Sequence, residues 1–308
     1  MKETIYILGH KNPDTDSICS PLAYANFLRQ KGKKAEAVRT GKINPETKFV
    51  LDYFKVKAPK LLASVKGKKI ILLDYNEKTQ SPDGIEKANI LEVIDHHKIL
   101  FKWPEPILFH SEPVGCTGTL IAEKYFNDRK VKLSKQMAGI LLSAILSDTV
   151  VFRSPTTTKK DKEIAKKLAK IVKIKNLDKF GIEIKKQKAS FKGLNAKNIL
   201  FSDFKIFNFS GKKVGVGQIE VCDFKEVNER KEEFIKKFKE ILKKEKYNLL
   251  ILMVTDIIKI GSRLLTVGQT DYVEKALGKK VKDNSVYLKG MMSRKKQVVP
   301  PLERIFSK

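Results

Sequence analysis

Cysteine and long apolar runs are scarce in this chain of 308 residues, and each shortage excludes a class of protein. The three cysteines, Cys19, Cys116 and Cys222, are far apart and odd in number, so they form neither a disulfide framework nor a zinc knuckle. We interpret them as small buried hydrophobic residues. No apolar run approaches the roughly 20 residues that a membrane span requires, and Thr4–Leu8 is too short for a signal peptide. We therefore expect a cytoplasmic protein without a membrane partner.

Acidic residues are also few, since 35 Asp and Glu stand against 63 Lys and Arg and leave a formal net charge of +28. Such a surface attracts anions, either nucleic acid or small phosphates. Lysine dominates the excess, much of it lies in residues 159–192, and no arginine-rich arm or aromatic RNA-binding signature accompanies it. We interpret the excess as solvated helix surface and expect no specific nucleic-acid partner. A non-catalytic nucleic-acid-binding protein remains as an alternative.

The arrangement of apolar residues predicts an α/β protein of two domains. In the first half, strands predicted at 4–8, 35–39, 69–73 and 90–94 alternate with helices predicted at 16–30, 45–54, 118–127, 134–146 and 159–173. Apolar strands that alternate with helices favour a mainly parallel sheet flanked by helices. The second half predicts a hairpin over 201–221, a helix over 226–246 and three further strands, and so a smaller mixed-sheet α/β domain. We place the domains at 1–187 and 193–308, with a basic linker at about 188–192.

Histidine and aspartate concentrate where three of these strands end. His10, Asp14 and Asp16 follow the first strand, Asp74 follows the third, and Asp95, His96 and His97 follow the fourth. The carboxyl ends of parallel strands meet at one edge of a sheet, which is where ligands bind in such folds. Each segment alone could be a helix cap or a polar strand end, but together they predict one metal site.

The chemistry of this residue set favours a pair of metal ions. Oxygen and imidazole ligands without cysteine suit Mn²⁺, Co²⁺ or Mg²⁺, with Zn²⁺ as a further candidate. Two histidines and several aspartates exceed the needs of one ion and match a bridged pair about 3.5–4 Å apart. Two cations on one water create hydroxide near neutral pH, a nucleophile suited to phosphorus.

Three further segments add candidates for the same site. Asp148 ends a strongly apolar helix, where the helix dipole disfavours a carboxylate, and this suggests a compensating cation. Arg294 offers a planar fork for phosphate oxygens and Lys295 a point charge. Lys205 lies on an alternating strand that would place it on one face with Asp203. Alone, each basic residue would be interpreted as ordinary surface.

The segments 9–18, 95–97, 146–149 and 293–297 together resemble a family II inorganic pyrophosphatase, the manganese-dependent class of the DHH phosphoesterase superfamily. The Asp-His-His triplet marks the superfamily, and the Ser-Arg-Lys-Lys-Gln run narrows the resemblance to the pyrophosphatases. The resemblance covers the whole chain. It implies hydrolysis of pyrophosphate to two phosphates by a hydroxide bridging two divalent metal ions. It also implies an active site between the two domains and a homodimer formed through the N-terminal domains.

The resemblance also implies a role for each residue of the set. One ion would be held by His10, Asp14 and Asp74, and the other by Asp16, Asp74, His96 and Asp148, with Asp74 bridging. Pyrophosphate would be bound by His97, Lys205, Arg294 and Lys295. We group as catalytic Asp14, Asp74, His97 and Asp148, and expect Asp95 to orient a neighbouring ligand. The cofactors would be two Mn²⁺ (or Co²⁺) per subunit, with additional Mg²⁺ or Mn²⁺ arriving with the pyrophosphate.

Two features of the sequence bear on regulation and on the rival function. Only 20 residues separate Asp74 from Asp95, so the regulatory nucleotide-binding insert of some relatives is absent there. The rival is another DHH-type phosphoesterase, acting on polyphosphate, oligonucleotides or cyclic dinucleotides. Its nucleic-acid members usually carry a Gly-Gly-Gly-His segment, whereas this chain contains no Gly-Gly pair.

Overall fold

The computed structural model describes residues 3–188, 194–201 and 203–307. The chain divides into two compact units, Met1–Lys188 and Ala189–Lys308, which we call the N-terminal and C-terminal units. Lys188, where the predicted linker begins, is the last residue of a helix. The remainder of the predicted linker, residues 189–192, lies outside the described residues.

A parallel sheet forms the centre of the N-terminal unit, in the order β3-β2-β1-β4-β5-β6. Every neighbouring pair in it is parallel, which confirms the predicted sheet type. Its strands are β1 (Ile5–Leu8), β2 (Ala35–Arg39), β3 (Lys60–Leu61), β4 (Lys69–Leu73), β5 (Asn89–Asp95) and β6 (Leu108–Ser111). The central strands are apolar on both faces because one face packs against the helices and the other against loop residues such as Val65, Phe101 and Trp103.

Six helices accompany this sheet, and their buried residues belong to the core on one of its faces. They are α1 (Asp16–Gln30), α2 (Pro45–Tyr53), α3 (Thr117–Asn127), α4 (Lys135–Asp148), α5 (Lys159–Val172) and α6 (Leu177–Lys188). Helix α4 is buried along nearly its whole length and ends at Asp148. Its start is fixed by Ser134, whose hydroxyl accepts from the Met137 amide. Helix α6 was missed in the sequence, although Phe180 and Ile184, one turn apart, both lie in the core.

The C-terminal unit contains a mixed sheet, as predicted, and its strand order is β11-β10-β9-β8-β7. Its strands are β7 (Phe204–Phe209), β8 (Lys212–Val221), β9 (Leu249–Asp256), β10 (Gly261–Gly268) and β11 (Ser285–Lys289). Strands β8 and β9 are parallel and the other pairs are antiparallel. The predicted start of the first strand at Phe201 is wrong, because that residue follows a short helix and the strand begins at Phe204.

The helices of this unit are α7 (Ala196–Leu200), α8 (Lys225–Glu229), α9 (Lys231–Lys244), α10 (Thr270–Leu277) and α11 (Val299–Phe306). The single helix predicted over 226–246 is divided at Arg230 into α8 and α9. Phe234 and Phe238 of α9 are fully buried on one face of the sheet, as their spacing of four residues predicts. Among the described residues, none of the helices combines the length and the apolar character that crossing a membrane requires.

Candidate metal centre

The carboxyl edge of the parallel sheet carries a cavity of 540 Å³. Its lining includes residues that follow β1, β4 and β5, together with the last residue of α4, as the sheet topology predicts. The predicted site residues among them are His10, Asp14, Asp74, His96, His97 and Asp148. All of these belong to the N-terminal unit.

Two groups of side chains in this cluster could each hold a metal ion, and both include Asp74. The first is His10, Asp14 and Asp74, and the second is Asp16, Asp74, His96 and Asp148, with the donor atoms of each group within 4.8 Å of one another. His97 forms a third group with Asp74 and His96. The structure therefore brings together all six residues predicted as metal ligands.

The two oxygens of Asp74 face different histidines. Its Oδ2 lies 3.8 Å from His10 Nε2, whereas its Oδ1 lies 3.3 Å from His96 Nε2. Asp74 adopts a left-handed conformation (φ 68°) at the end of β4. Ser17 Oγ donates to its Oδ2 at 2.6 Å and Thr117 Oγ1 to its Oδ1 at 3.3 Å. Each oxygen is thus held separately, which is the orientation that a carboxylate shared by two cations needs.

Asp16 is held by the beginning of α3. The amides of Thr117 and Gly118 donate to its two oxygens at 2.6 and 3.1 Å, and Ser20 Oγ also donates to it. These amides and the helix dipole stabilise a negative charge. Even so, burial together with the neighbouring Asp74 carboxylate raises the pKa of Asp16 to about 7.

The tautomer of His96 follows from its hydrogen bond to the backbone. Its Nδ1 lies 2.9 Å from the Val114 carbonyl oxygen, so Nδ1 is the donor and Nε2 faces Asp74 and Asp148. Although burial lowers the pKa of His96, Asp74 and Asp16 raise it to about 9. In the absence of a cation, a proton on Nε2 therefore balances part of the negative charge at this position.

His97 has a different environment, because its side chain is 54% exposed. Its Nδ1 lies 2.9 Å from Asp95 Oδ1, and this hydrogen bond raises the pKa of His97. Asp95 is fully buried and also accepts from the His96 amide and from Asn76 Nδ2. Of the two adjacent imidazole rings, the Asp95 carboxylate bonds that of His97.

The donor set fits a hard or borderline divalent cation. Asp14, Asp16, Asp74 and Asp148 converge, and burial with the charges of Asp14 and Asp16 raises the pKa of Asp148 well above its ordinary value. Such crowding is costly unless cations offset it. Cys116 is buried beside the site, but burial raises the pKa of its thiol well above the usual range, so it offers no thiolate. Oxygen and imidazole donors of this kind suit Mn²⁺, Co²⁺ and Mg²⁺.

The predicted anion-binding residues lie in the C-terminal unit. The Arg294 guanidinium is buried and donates to the Asp203 carbonyl at 2.6 Å, to the Asp203 carboxylate at 2.8 Å and to the Val216 carbonyl at 3.1 Å. Lys205 and Lys295 are exposed, and within the described ranges neither forms an ion pair. Asp203 was expected to share a strand face with Lys205, but it precedes β7 and serves instead as the partner of Arg294.

A buried carboxylate beside the cluster was not predicted from the sequence. Glu46 is 2% exposed, and its side chain contacts Thr15, Ser147 and Lys185. An acidic residue in the first turn of a helix is ordinary, because it complements the helix dipole. The sequence therefore held no signal that this one faces a metal site.

The fold and the cluster define a phosphoesterase of the DHH type. Residues 4–145 match the model of the DHH family, N-terminal domain, and residues 182–305 match that of the DHHA2 domain. The two matches fall on the N-terminal and C-terminal parts of the chain, in the order that the resemblance implies.

Comparison with known proteins narrows this class to one family. The manganese-dependent inorganic pyrophosphatase of Methanocaldococcus jannaschii is 52% identical over 98% of this chain and 99% of its own length. That of Methanothrix thermoacetophila is 50% identical over 100% of both chains. A crystal structure from Methanococcus jannaschii, described as a family II inorganic pyrophosphatase, is 51% identical with a TM-score of 0.67 and covers 99% of this chain and 100% of its own. The chain belongs to the manganese-dependent inorganic pyrophosphatases.

Proposed function

We propose that this protein hydrolyses inorganic pyrophosphate to two phosphates at the carboxyl edge of its parallel sheet. The observation that carries the proposal is the sharing of Asp74 between two groups of donors, since each of its oxygens faces a different histidine. One ion would be held by His10, Asp14 and Asp74, and the second by Asp16, Asp74, His96 and Asp148. The names of the full-length relatives support manganese as the metal.

When bound, two such cations supply Lewis acidity and lower the pKa of a water. The residues of the chain have the remaining tasks. The carboxylates of Asp74 and Asp16 are held by Ser17, Thr117 and the α3 amides, and they would determine the positions of the cations. His97 donates from Nδ1 to the buried Asp95, which raises the pKa of His97 and favours the imidazolium form, whose Nε2–H can donate to an anionic oxygen. Asp14, Asp74, His97 and Asp148 form the catalytic group.

Pyrophosphate carries several negative charges, and the C-terminal unit supplies cationic donors for it. We assign Lys205, Arg294 and Lys295 to the phosphate oxygens, as the family resemblance implies. A homodimer formed through the N-terminal unit, a cytoplasmic location and additional Mg²⁺ or Mn²⁺ arriving with the substrate complete the proposal.

One assay tests this function against its rivals. Phosphate release should be measured from pyrophosphate, tripolyphosphate and short RNA, with Mn²⁺ and after chelation. We expect rapid release from pyrophosphate, loss of activity in chelator, and recovery with Mn²⁺ or Co²⁺ that exceeds recovery with Mg²⁺ alone. Full activity in chelator would refute the metal mechanism, and preference for RNA or tripolyphosphate would favour another DHH-type phosphoesterase.

A matched pair of histidine variants tests the site itself. His97→Gln removes a charge-assisted contact worth roughly 1.5–3 kcal/mol, so kcat/KM for pyrophosphate should fall about 10- to 150-fold. His110 is the control, because its Nε2 also faces a carboxylate, that of Glu112 at 3.1 Å, outside the cluster. His110→Gln should keep the wild-type rate, and equal losses in both variants would contradict the role of His97.

A further inference from the structure

Glu46 connects two segments that lie far apart in the sequence. Its Oε1 accepts from Thr15 Oγ1 at 2.7 Å and also from Ser147 Oγ. Thr15 stands between Asp14 and Asp16, and Ser147 immediately precedes Asp148. One carboxylate oxygen thus contacts residues adjacent to three of the candidate metal ligands.

The second oxygen of Glu46 faces a cation. Its Oε2 lies 3.1 Å from Nζ of Lys185, whose side chain is 11% exposed. The same Nζ lies 3.4 Å from both the carbonyl and the hydroxyl oxygen of Ser147. A buried carboxylate is costly without a partner, and Lys185 offsets that cost while contacting the same ligand-bearing segment.

Helix α6, which carries Lys185, also contacts the turn that follows Asp148. Val150, Val151 and Phe152 are three consecutive residues with φ values of 49°, 55° and 62°, a strained conformation for β-branched and bulky side chains. Gly181, one turn before Lys185, packs against the middle one, since a Cβ there would lie 2.7 Å from Val151 Cγ2. The helix therefore holds the turn on one side of Asp148 and, through Lys185, Ser147 on the other.

We propose that Glu46 and Lys185 are positioning residues, which together hold Asp14, Asp16 and Asp148 in the arrangement that binds metal. A purely structural carboxylate would be expected to bond groups unrelated to the site. The two hydroxyls that donate to Glu46 Oε1 and the ammonium group that faces its Oε2 all adjoin or contact ligand-bearing segments. The inference rests on the proposed metal site and deepens it.

The test is Mn²⁺ binding to the chelator-stripped, full-length protein by isothermal titration calorimetry. Glu46→Gln should weaken Mn²⁺ binding about 10- to 100-fold, the usual effect of removing a group that orients metal ligands. Glu92→Gln is the matched control, because Glu92 is also buried and accepts from a hydroxyl, that of Tyr24 at 2.7 Å, without contacting a residue adjacent to a ligand. The control should keep the wild-type affinity.

Kinetics separate positioning from substrate binding. With Mn²⁺ in saturating excess, Glu46→Gln should retain the wild-type KM for pyrophosphate while requiring more Mn²⁺ for half-maximal activity. Unchanged Mn²⁺ affinity in Glu46→Gln, or an equal loss in Glu92→Gln, would overturn the positioning role. Wild-type protein that binds no Mn²⁺ would instead refute the proposed metal site, so the two failures are distinguishable.

A second pair of variants covers the case in which Glu46→Gln does not fold. Ser147→Ala removes one donor to Glu46 and keeps its pairing with Lys185, and it should also weaken Mn²⁺ binding. Ser143→Ala is its control, since Ser143 is buried on the same helix and, among the described residues, donates only to the Gly139 carbonyl, at 2.9 Å. Equal Mn²⁺ affinities for these two variants would overturn the proposal.

Discussion

Replacing Asp148 with Asn should stabilise the metal-free protein and weaken its binding of Mn²⁺, two effects of opposite sign. Asp148 is only partly exposed at the end of α4, and Asp14, Asp16 and Asp74 all surround it with negative charge. Asn has nearly the same shape and removes one of these charges. Without a cation the Asp148 carboxylate repels its neighbours and destabilises the fold, whereas with a cation it is a metal ligand.

The magnitude follows from the linkage of protons to folding. Burial raises the pKa of Asp16 to about 7 and that of Asp148 well above its ordinary value, so the folded protein retains protons that the unfolded chain has lost. Stability of the metal-free protein therefore falls as the pH rises from about 4 through these raised pKa values. For each retained proton, the free energy of unfolding falls by about 1.4 kcal/mol per pH unit, or by roughly 3 kcal/mol between pH 5 and 7. For a domain of this size that corresponds to a Tm lower by roughly 6–12 °C.

His96 acts in the same direction. Its pKa is raised to about 9, so its stabilising contribution is complete below its ordinary value of 6.5 and is lost as the pH rises through 9. The metal-free protein should therefore melt at progressively lower temperature from pH 5 to 9. Mn²⁺ replaces these protons, and at 100 times its Kd it should add about 2.7 kcal/mol.

The assay is scanning calorimetry of stripped and Mn²⁺-loaded protein across this pH range. Asp148→Asn should melt above wild type without metal at pH 8, show a shallower dependence on pH, and gain less from Mn²⁺. Asp178→Asn is the control, because Asp178 is an exposed carboxylate that pairs with Arg153 at 3.0 Å. The reasoning would be refuted if metal-free Asp148→Asn melted below wild type, or if the metal-free Tm rose with pH.

Three further predictions concern other parts of the molecule. Asp74→Asn should weaken Mn²⁺ binding at both donor groups in calorimetry, whereas Lys11→Ala should not, and full two-ion affinity in the former would exclude a shared ligand. Arg294→Lys should lower kcat/KM about 10- to 150-fold at unchanged Mn²⁺ affinity, since Lys lacks the planar fork. Effects equal to those of Lys170→Ala that fade with salt would refute a contact between Arg294 and the phosphate. Gly181→Ala should cost about 1–3 kcal/mol in urea unfolding by overpacking Val151, and the stabilisation normal for Ala in a helix would contradict this contact.

Much of the fold and the neighbourhood of the site could be predicted because both depend on local patterns. Apolar strands alternating with helices specify a parallel sheet, and the topology of such a sheet then brings the ends of β1, β4 and β5 to one edge. His10, Asp74 and His96 were expected together for this reason, and the structure places donors from each within one cluster.

The parts that could not be predicted depend on tertiary partners. The lysines of α6 obscured its apolar face, so the helix was not predicted and its last residue, Lys188, was placed in the linker. Arg294 was assigned to phosphate from its type and neighbours, but only the folded C-terminal unit shows that Asp203 orients its guanidinium. Asp95 illustrates the same limit, because the sequence indicates a supporting role but not that its partner is His97.

The geometry of the cluster implies that metal binding and the stability of the N-terminal unit are linked. The α3 amides hold Asp16, Ser17 and Thr117 hold Asp74, and Glu46 contacts the segments bearing Asp14 and Asp148. None of these contacts removes the burial of the carboxylates or the repulsion among them, which together raise the pKa values of Asp16 and Asp148. The arrangement of the site therefore lowers the stability of the metal-free protein, and a bound cation would offset this effect.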